Sequence, residues 1–193
     1  AIPAKSVKEL IALASSRAGG ISYASSGEGS ISHLAGELFK SATGVVMVHV
    51  PYKGGGQALI DIIAGHVETG FVNILEALPN VRSGRLRGLA VTSPARWPTI
   101  PDIPTVSESG VAGYDVIQWS GVLAPIGTPQ AIIAKLNGGI LRVLNRTDMR
   151  ERLIESGAQP GGGTPEEFGA FIKAEIAKWS VVVRSAQVRG ERK

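Results

Sequence analysis

Serine and glycine are concentrated in one short stretch near the start of the chain, residues 25–30. An apolar run precedes this stretch and an amphipathic helical pattern follows it, so it forms a turn between a strand and a helix. The first amides of a helix lack partners within it and carry partial positive charge, so such a turn can bind a carboxylate or a phosphate. Serine and glycine also close ordinary loops, and that alternative stays open here. The candidate ligand-binding residues of this turn are Ser25, Ser26, Gly27, Gly29 and Ser30.

A second glycine turn repeats this layout. Residues 45–50 read as a strand, Lys53, Gly54 and Gly55 lie in the turn, and a helix follows from Ala58. If both turns lie at the carboxyl edge of one parallel sheet, their helices point two amino termini at one place, where open α/β sheets bind ligands. Lys53 then either binds a carboxylate or is an ordinary solvated lysine of the turn.

The residue types argue against most catalytic chemistries. The chain has no cysteine, which excludes thiol nucleophiles, disulfides and thiolate metal sites. It contains neither a G-x-x-x-x-G-K-[ST] nor a G-x-S-x-G motif. His33, His49 and His66 are far apart in the sequence and lack metal-ligand spacing. We predict no catalytic residue, no metal and no cofactor, and a phosphate- or nucleotide-binding α/β enzyme remains an alternative.

Composition sets the remaining bounds. With 193 residues, 44% of them hydrophobic, the chain can bury a sizeable core. A formal net charge of +4 gives no argument for nucleic acid as a partner. No apolar run is long enough to cross a bilayer, and the first residues do not form a signal peptide.

The elements that must position the two turns alternate between short strands and helices. The strands are predicted at 21–24, 45–50, 67–72 and 86–92, with amphipathic helices between them. This alternation predicts an α/β sheet with mostly parallel neighbours.

The pattern changes after residue 93. Proline-rich residues 93–113 predict a long irregular connection with one short helix at 106–109, and 114–123 read as a long strand. Helices with broad apolar faces then follow Pro129 and the capping-box residue Thr164. Such faces need a sheet to cover, so we predict that a missing segment or another copy supplies one.

Five motifs, in this order, resemble the Bug family, the periplasmic solute receptors of tripartite tricarboxylate transporters. They are the serine-glycine turn with the helix after it (24–39), His-Val-Pro-Tyr-Lys-Gly (49–54), Leu-Arg-Gly-Leu-Ala-Val-Thr (86–92), Pro-Asp-Ile-Pro-Thr-Val-x-Glu (101–108) and Pro-x-Gly-Thr-Pro (125–129). The resemblance covers the whole chain.

The resemblance implies an α/β fold of the periplasmic-binding-protein-like type II. Residues 1–114 would form the nearly complete second, ligand-binding lobe. Residues 115–193 would be the hinge strand and the helices that return into an incomplete first lobe. Family members carry a signal sequence and a first segment that has no counterpart before residue 1, so we expect this chain to be a fragment. A fragment with uncovered helices is also expected to form a homodimer or a swapped assembly.

The implied function is capture of a small carboxylate in the periplasm and its delivery to a membrane permease, without chemical conversion. The ligand would be a di- or tricarboxylate or a related organic acid. Ser25 and Ser30 would donate hydroxyl hydrogens to it, and Asn73, at the end of the third strand, would orient a distal polar group. A ligand sensor for a signalling kinase is the other alternative. His33 is expected to cap or pack in its helix, and Trp119 to pack at the hinge.

Overall fold

The computed structural model describes residues 2–185. Its helices are α1 (Val7–Ser16), α2 (Ile31–Thr43), α3 (Gly55–Ala64), α4 (Ile74–Arg82), α5 (Gln130–Leu144), α6 (Thr147–Ser156) and α7 (Pro165–Ser185). Its strands are β1 (Ile21–Ser25), β2 (Met47–Pro51) and β3 (Thr69–Gly70). These are the elements of an α/β fold with strand-turn-helix units at its start.

The three strands form one parallel sheet in the order β2-β1-β3. Ser25 lies opposite Pro51, and Ala24 lies opposite Gly70, so all three carboxyl ends meet at the same edge. The prediction that the two glycine turns share a sheet edge is therefore confirmed.

Two predicted strands are wrong. Residues 86–92 contribute only an isolated parallel bridge between Val91 and Thr105. Residues 114–123 contain no strand, although the amide of Val116 donates to the carbonyl of Thr92 at 2.8 Å. A ladder does not extend along these segments because Pro94 and Pro104 lack amide hydrogens. The third predicted strand is reduced to β3, and 106–109 form turns rather than a helix.

Two helix starts have capping-box spacing in the sequence, Ser6 with Glu9 and Thr164 with Glu167. Thr164 and Glu167 form the complete capping box, with reciprocal bonds of 3.1 and 2.7 Å from amide to side chain. At α1, Ser6 Oγ accepts from the amide of Glu9 at 3.2 Å, but the Glu9 carboxylate accepts from the backbone amide of Lys5 instead of that of Ser6. The capping box is therefore complete at α7, whereas at α1 only the bond to Ser6 is formed.

The core lies around β1, the central strand. Tyr23, Ile21 and Phe39 are among its fully buried side chains. The Tyr23 hydroxyl donates to Glu37 Oε1 at 2.7 Å, and the Tyr114 hydroxyl donates to the carbonyl of Ala35 at 2.8 Å. These bonds attach α2, which follows residues 25–30, to the sheet and to the later chain.

The described chain divides into two compact units. The sheet unit comprises residues 2–118 with 181–185, and the helical unit comprises 119–180. The predicted lobe boundary at residue 114 stays a prediction, and residues 186–193 of the predicted second segment lie outside the described residues. Within residues 2–185, no helix is long and apolar enough to cross a membrane.

The helical unit packs around aromatic side chains. Trp119 makes edge contacts with Phe168 and Phe171, at centroid distances of 5.6 and 5.2 Å. The indole N–H groups of Trp119 and Trp179 both donate to Glu175 Oε2, at 3.2 and 3.0 Å. Helix α5 buries none of its residues, which agrees with the predicted broad, uncovered apolar faces.

Candidate functional site

The two turns contact each other at the carboxyl edge of the sheet. We call residues 25–30 the serine turn and residues 52–55 the glycine turn. The amides of Tyr52 and Gly54 donate to the carbonyls of Ser25 and Ser26, each at 3.1 Å. Gly27 has a φ of 141°, and a side chain there would lie 3.1 Å from the carbonyl oxygen of Tyr52. The close approach of the two turns therefore requires glycine at this position.

Ser32, in the first turn of α2, is the centre of the hydrogen-bond network in the serine turn. Its hydroxyl accepts from the amide of Ser26 at 2.9 Å and lies 2.9 Å from both Ser26 Oγ and Ser30 Oγ. Ser30 caps α2 by accepting from the amide of His33 at 3.2 Å, and it donates to the carbonyl of Gly27 at 2.7 Å. The turn is therefore held by its own side chains.

Each serine hydroxyl has only one hydrogen to donate, so the donor of each bond in this network can be assigned. Because Ser30 uses its hydrogen for the carbonyl of Gly27, the hydrogen between Ser30 and Ser32 comes from Ser32. The hydrogen between Ser26 and Ser32 then comes from Ser26. Ser26 is partly exposed, and its hydroxyl can turn toward a ligand with the loss of one bond.

Replacing Ser32 with alanine should loosen the serine turn. Ser32→Ala leaves the partly buried amide of Ser26 without its acceptor, which should cost about 1 kcal/mol, the lower end of the range for a buried donor without a partner. Urea unfolding should report this loss in the free energy of unfolding. Ser41→Ala, at an exposed position of the same helix, is the matched control and should change it by less than about 0.5 kcal/mol. Equal effects from the two variants would contradict the role of Ser32.

Two histidines lie beneath the serine turn in a stack of three rings. The rings of His33 and His49 are 3.7 Å apart with planes at 7°, and His49 also stacks on Tyr23 at 5.0 Å. Nε2 of His49 lies 2.6 Å from Ser25 Oγ, and Nδ1 of His33 accepts from the amide of Gly29 at 3.0 Å. Both imidazoles therefore bind atoms of the turn.

The environment of the stack favours neutral imidazoles. Burial lowers the pKa of His33 below its usual value, against the opposing effect of the Glu28 and Glu37 carboxylates. Burial, together with the charge of protonated His33, lowers the pKa of His49 to about 4. At neutral pH the stack is thus uncharged.

Glu28, His33 and His49 bring one potential ligand atom each within 4.8 Å of one another. Carboxylate oxygen and imidazole nitrogen suit zinc and other transition metals. However, the stacked rings are nearly parallel, so their in-plane lone pairs do not converge on one ion. Nδ1 of His33 is also already bound to an amide hydrogen. The geometry of this cluster fits a ring stack better than a metal centre.

The structure changes the roles open to the predicted site residues of the serine turn. Ser25 is 0% exposed, and its hydroxyl is bound to Gly27 and His49, so it supports the turn from below. The amides of Ser26, Gly27 and Gly29 donate to side chains of the turn itself or of α2. These amides do not point outward, which differs from the expectation that the turn presents its N–H groups.

The glycine turn leaves a helix terminus without a side-chain cap. Helix α3 begins after Gly54, and no side chain of residues 2–185 caps it. Gly55 is buried against the carboxylate of Glu76, which a side chain at residue 55 would meet at 1.7 Å. Lys53 is exposed, and Asn73 caps α4 by accepting from the amide of Leu75 at 2.9 Å. Lys53 and Asn73 as ligand contacts stay predictions.

Sequence reasoning missed Ser32 and the stack of His33 with His49. The histidines are far apart in the sequence, but the parallel pairing of β1 and β2 puts Tyr23 opposite His49. Helix α2 then places the ring of His33 on that of His49. The aligned strand ends were the signal that could have identified His49. The contact of Ser32 depends on side-chain directions in the first turn of α2, which spacing alone does not give.

The fold and the shared strand edge define a class, the α/β lobe of a periplasmic-binding-protein-like receptor. Residues 1–188 match the family model described as "Tripartite tricarboxylate transporter family receptor". The chain belongs to this family, a family of solute receptors rather than enzymes.

Relatives and solved structures agree with this assignment. The chain is 37% identical to Protein BugT of Bordetella pertussis over 179 residues, which are 93% of this chain and 55% of that protein. It is 34% identical over 180 residues to a UPF0065 protein in the tcbD-tcbE intergenic region of Pseudomonas sp., covering 93% of this chain and 54% of that one. The chain thus spans about half the length of the curated relatives it matches.

Two of the similar structures carry organic acids. The structure titled "R. palustris Rpa4515 with adipate" has a TM-score of 0.92 and 39% identity, over 97% of this chain and 63% of that one. MatC (Rpa3494) from Rhodopseudomonas palustris with bound malate has a TM-score of 0.81 and 32% identity, over 94% and 63% of the two chains. Both similarities extend over nearly all of the present chain and confirm the predicted fold.

Proposed function

We propose that this chain is the ligand-binding part of a periplasmic solute receptor that binds a small organic acid through its carboxylate and delivers it to a tripartite transporter permease. The observation that carries the proposal is the meeting of two strand-turn-helix units at one sheet edge, joined by the bonds from the glycine turn to Ser25 and Ser26. The relatives with bound adipate and malate support the same ligand class.

The uncapped amino terminus of α3 is the best anchor for a carboxylate. Its first amides lack partners in the helix and receive no side-chain cap. A carboxylate bound there would interact favourably with the helix dipole. The nearby Glu76 carboxylate must turn aside for it, which is open to an exposed side chain. No cationic side chain is required for this mode of binding.

Ser26 supplies the hydroxyl hydrogen in this proposal. Its carbonyl already accepts from the amide of Gly54, so its backbone lies beside the start of α3. Turning its hydroxyl from Ser32 to a carboxylate replaces a neutral hydrogen bond with a charge-assisted one, which is roughly twice as strong. We therefore place Ser26 ahead of Ser25 and Ser30 as the direct donor.

The proposal is tested by titrating the isotope-labelled chain with adipate and with malate while its amide resonances are recorded. Millimolar concentrations are appropriate because the chain spans only part of its relatives' length. We expect the amides of Gly55, Gly56 and Gln57 to shift with each acid. Adipamide, the neutral analogue of adipate, should leave them in place. Shifts that are equal for the acid and the amide would contradict a carboxylate site.

Ser26→Ala should weaken adipate binding about tenfold, because a hydrogen bond to a charged group is worth about 1.5 kcal/mol. The dissociation constant comes from the same titration. Ser15→Ala, at an exposed serine of α1, is the control and should leave the constant unchanged. If Ser26→Ala binds adipate as tightly as the unmodified chain, the hydroxyl of Ser26 does not contact the ligand.

A further inference from the structure

The serine turn is bound to α2 through the ring of His33. The hydrogen bond between them indicates which ring nitrogen of the neutral histidine carries the proton. The amide of Gly29 points its hydrogen at Nδ1 of His33, with a nitrogen–nitrogen distance of 3.0 Å. A backbone amide can only donate, so Nδ1 must carry a lone pair. The neutral ring of His33 therefore holds its proton on Nε2. His33 is buried, and its ring cannot exchange this bond for one to bulk water.

Four charged or titratable side chains surround this ring in addition to His49. On the turn, Glu28 Oε1 lies 4.0 Å from Nδ1 of His33. On α2, Glu37 Oε1 lies 3.9 Å from Nε2, and that carboxylate is held by Lys40 at 2.8 Å. From β1, the Tyr23 hydroxyl donates to the same Glu37 oxygen at 2.7 Å.

A proton added to His33 must go to Nδ1, because Nε2 already carries one. Nδ1 then becomes a donor, and the amide of Gly29 loses its acceptor. Glu28 Oε1 lies 4.0 Å from Nδ1 and can accept the new hydrogen. The two carboxylates at about 4 Å compensate the new positive charge, so it adds little attraction for an anionic ligand. The main consequence of protonation is that the amide of Gly29 loses its hydrogen bond to His33.

We propose that His33 is a proton-sensitive positioning residue: its neutral form holds the serine turn through Gly29, its protonated form releases it, and carboxylate binding weakens as the pH falls. This inference rests on the proposed function, because the turn it controls carries the proposed ligand donor Ser26. Burial lowers the pKa of His33 below its usual value. The serine turn is therefore released in acidic solution and held at neutral pH. Because His49 stacks on the same ring, protonating it in addition to His33 is unfavourable.

The first test needs no ligand. The isotope-labelled chain is titrated from pH 8 to pH 4, and the amide of Gly29 is followed together with the ring nitrogens of His33. We expect both to change with one shared midpoint, and the ring to start as the Nε2–H tautomer. A Gly29 amide that does not follow the His33 titration would overturn the proposal.

The second test measures adipate affinity against pH in the unmodified chain and in His33→Asn. The asparagine carbonyl can accept from Gly29 but does not titrate. We expect affinity to fall by up to about tenfold as the pH passes below the His33 midpoint in the unmodified chain, beyond the fall in His33→Asn. Protonation of adipate itself affects both proteins alike, so their difference isolates His33. His66→Asn, at an exposed histidine, is the control and should keep the full dependence.

The outcomes separate this inference from the proposed function. If adipate binds and His33→Asn keeps the same pH profile as the unmodified chain, the switch is wrong and the receptor proposal stands. If neither adipate nor malate binds at any pH while Gly29 follows His33, the receptor proposal is wrong and the switch in the turn stands. His49→Gln should keep the Gly29 transition, and its loss there would move the switch from His33 to His49. If His33→Asn does not fold, the ligand-free titration still decides.

Discussion

Gly36→Ala should destabilise the sheet unit by about 2 to 3 kcal/mol, although alanine is the better helix former. Gly36 lies inside α2 and faces the ring of Tyr23, the largest fully buried side chain. A methyl group at residue 36 would lie 2.2 Å from Tyr23 Cε2 and 2.5 Å from Cζ. The ring cannot move away, because it stacks on His49 and its hydroxyl is bound to Glu37. Either α2 must lift from the sheet or Tyr23 must leave its rotamer.

Urea unfolding followed by circular dichroism measures this effect, and hydrogen exchange of the β1 amides locates it. Gly169→Ala is a matched control, since Gly169 is also inside a helix but no atom lies within 4 Å of its would-be methyl group. That variant should gain up to about 1 kcal/mol from helix propensity. A double variant with Tyr23→Leu should lose less than the two single losses combined. A Gly36→Ala chain as stable as the original would show that the contact with Tyr23 relaxes freely.

Most of the elements that build the site were predictable because their signals are local. Helix periodicity, the Thr164 capping box and the glycine turns each depend on residues a few positions apart. The sheet edge was predictable as well, because strand-turn-helix units alternate in the sequence and imply parallel pairing. These features identified residues 25–30 and 53–55 as the place where two helix termini meet.

The features that failed depend on partners distant in the sequence. Residues 86–92 and 114–123 have the composition of strands, yet a strand exists only where a neighbour offers a continuous ladder, and prolines interrupt it here. The inward direction of Ser25 could not be predicted either. Strand β1 extends to this residue, and the alternation of the strand turns its hydroxyl toward His49. The side chain of Ser25 is therefore buried, and its role as a ligand contact stays a prediction.

Acidification from pH 6.5 to pH 4 should cost the chain about 2 to 3 kcal/mol of unfolding free energy, mainly through His49. In the folded chain the pKa of His49 is about 4, whereas in the unfolded chain it has its usual value of 6.5. Between these values the unfolded state binds more protons than the folded state. Protonation therefore favours unfolding, and stability falls as the pH falls through this window. The lowered pKa of buried His33 contributes in the same direction.

The upper part of this window separates the histidines from the carboxylates. The pKa values of Glu37 and Glu68 are lowered from 4.5, so the stability that these carboxylates contribute is lost only below about that pH. Urea unfolding at pH 7, 6, 5 and 4.5 thus measures mainly the histidine stack. His49→Gln retains a group that can bond to Ser25 but does not titrate, so its stability should depend less steeply on pH. His66→Gln should keep the original slope. If His49→Gln loses stability with the same slope as the unmodified chain, the stack is not what makes this fold acid-sensitive.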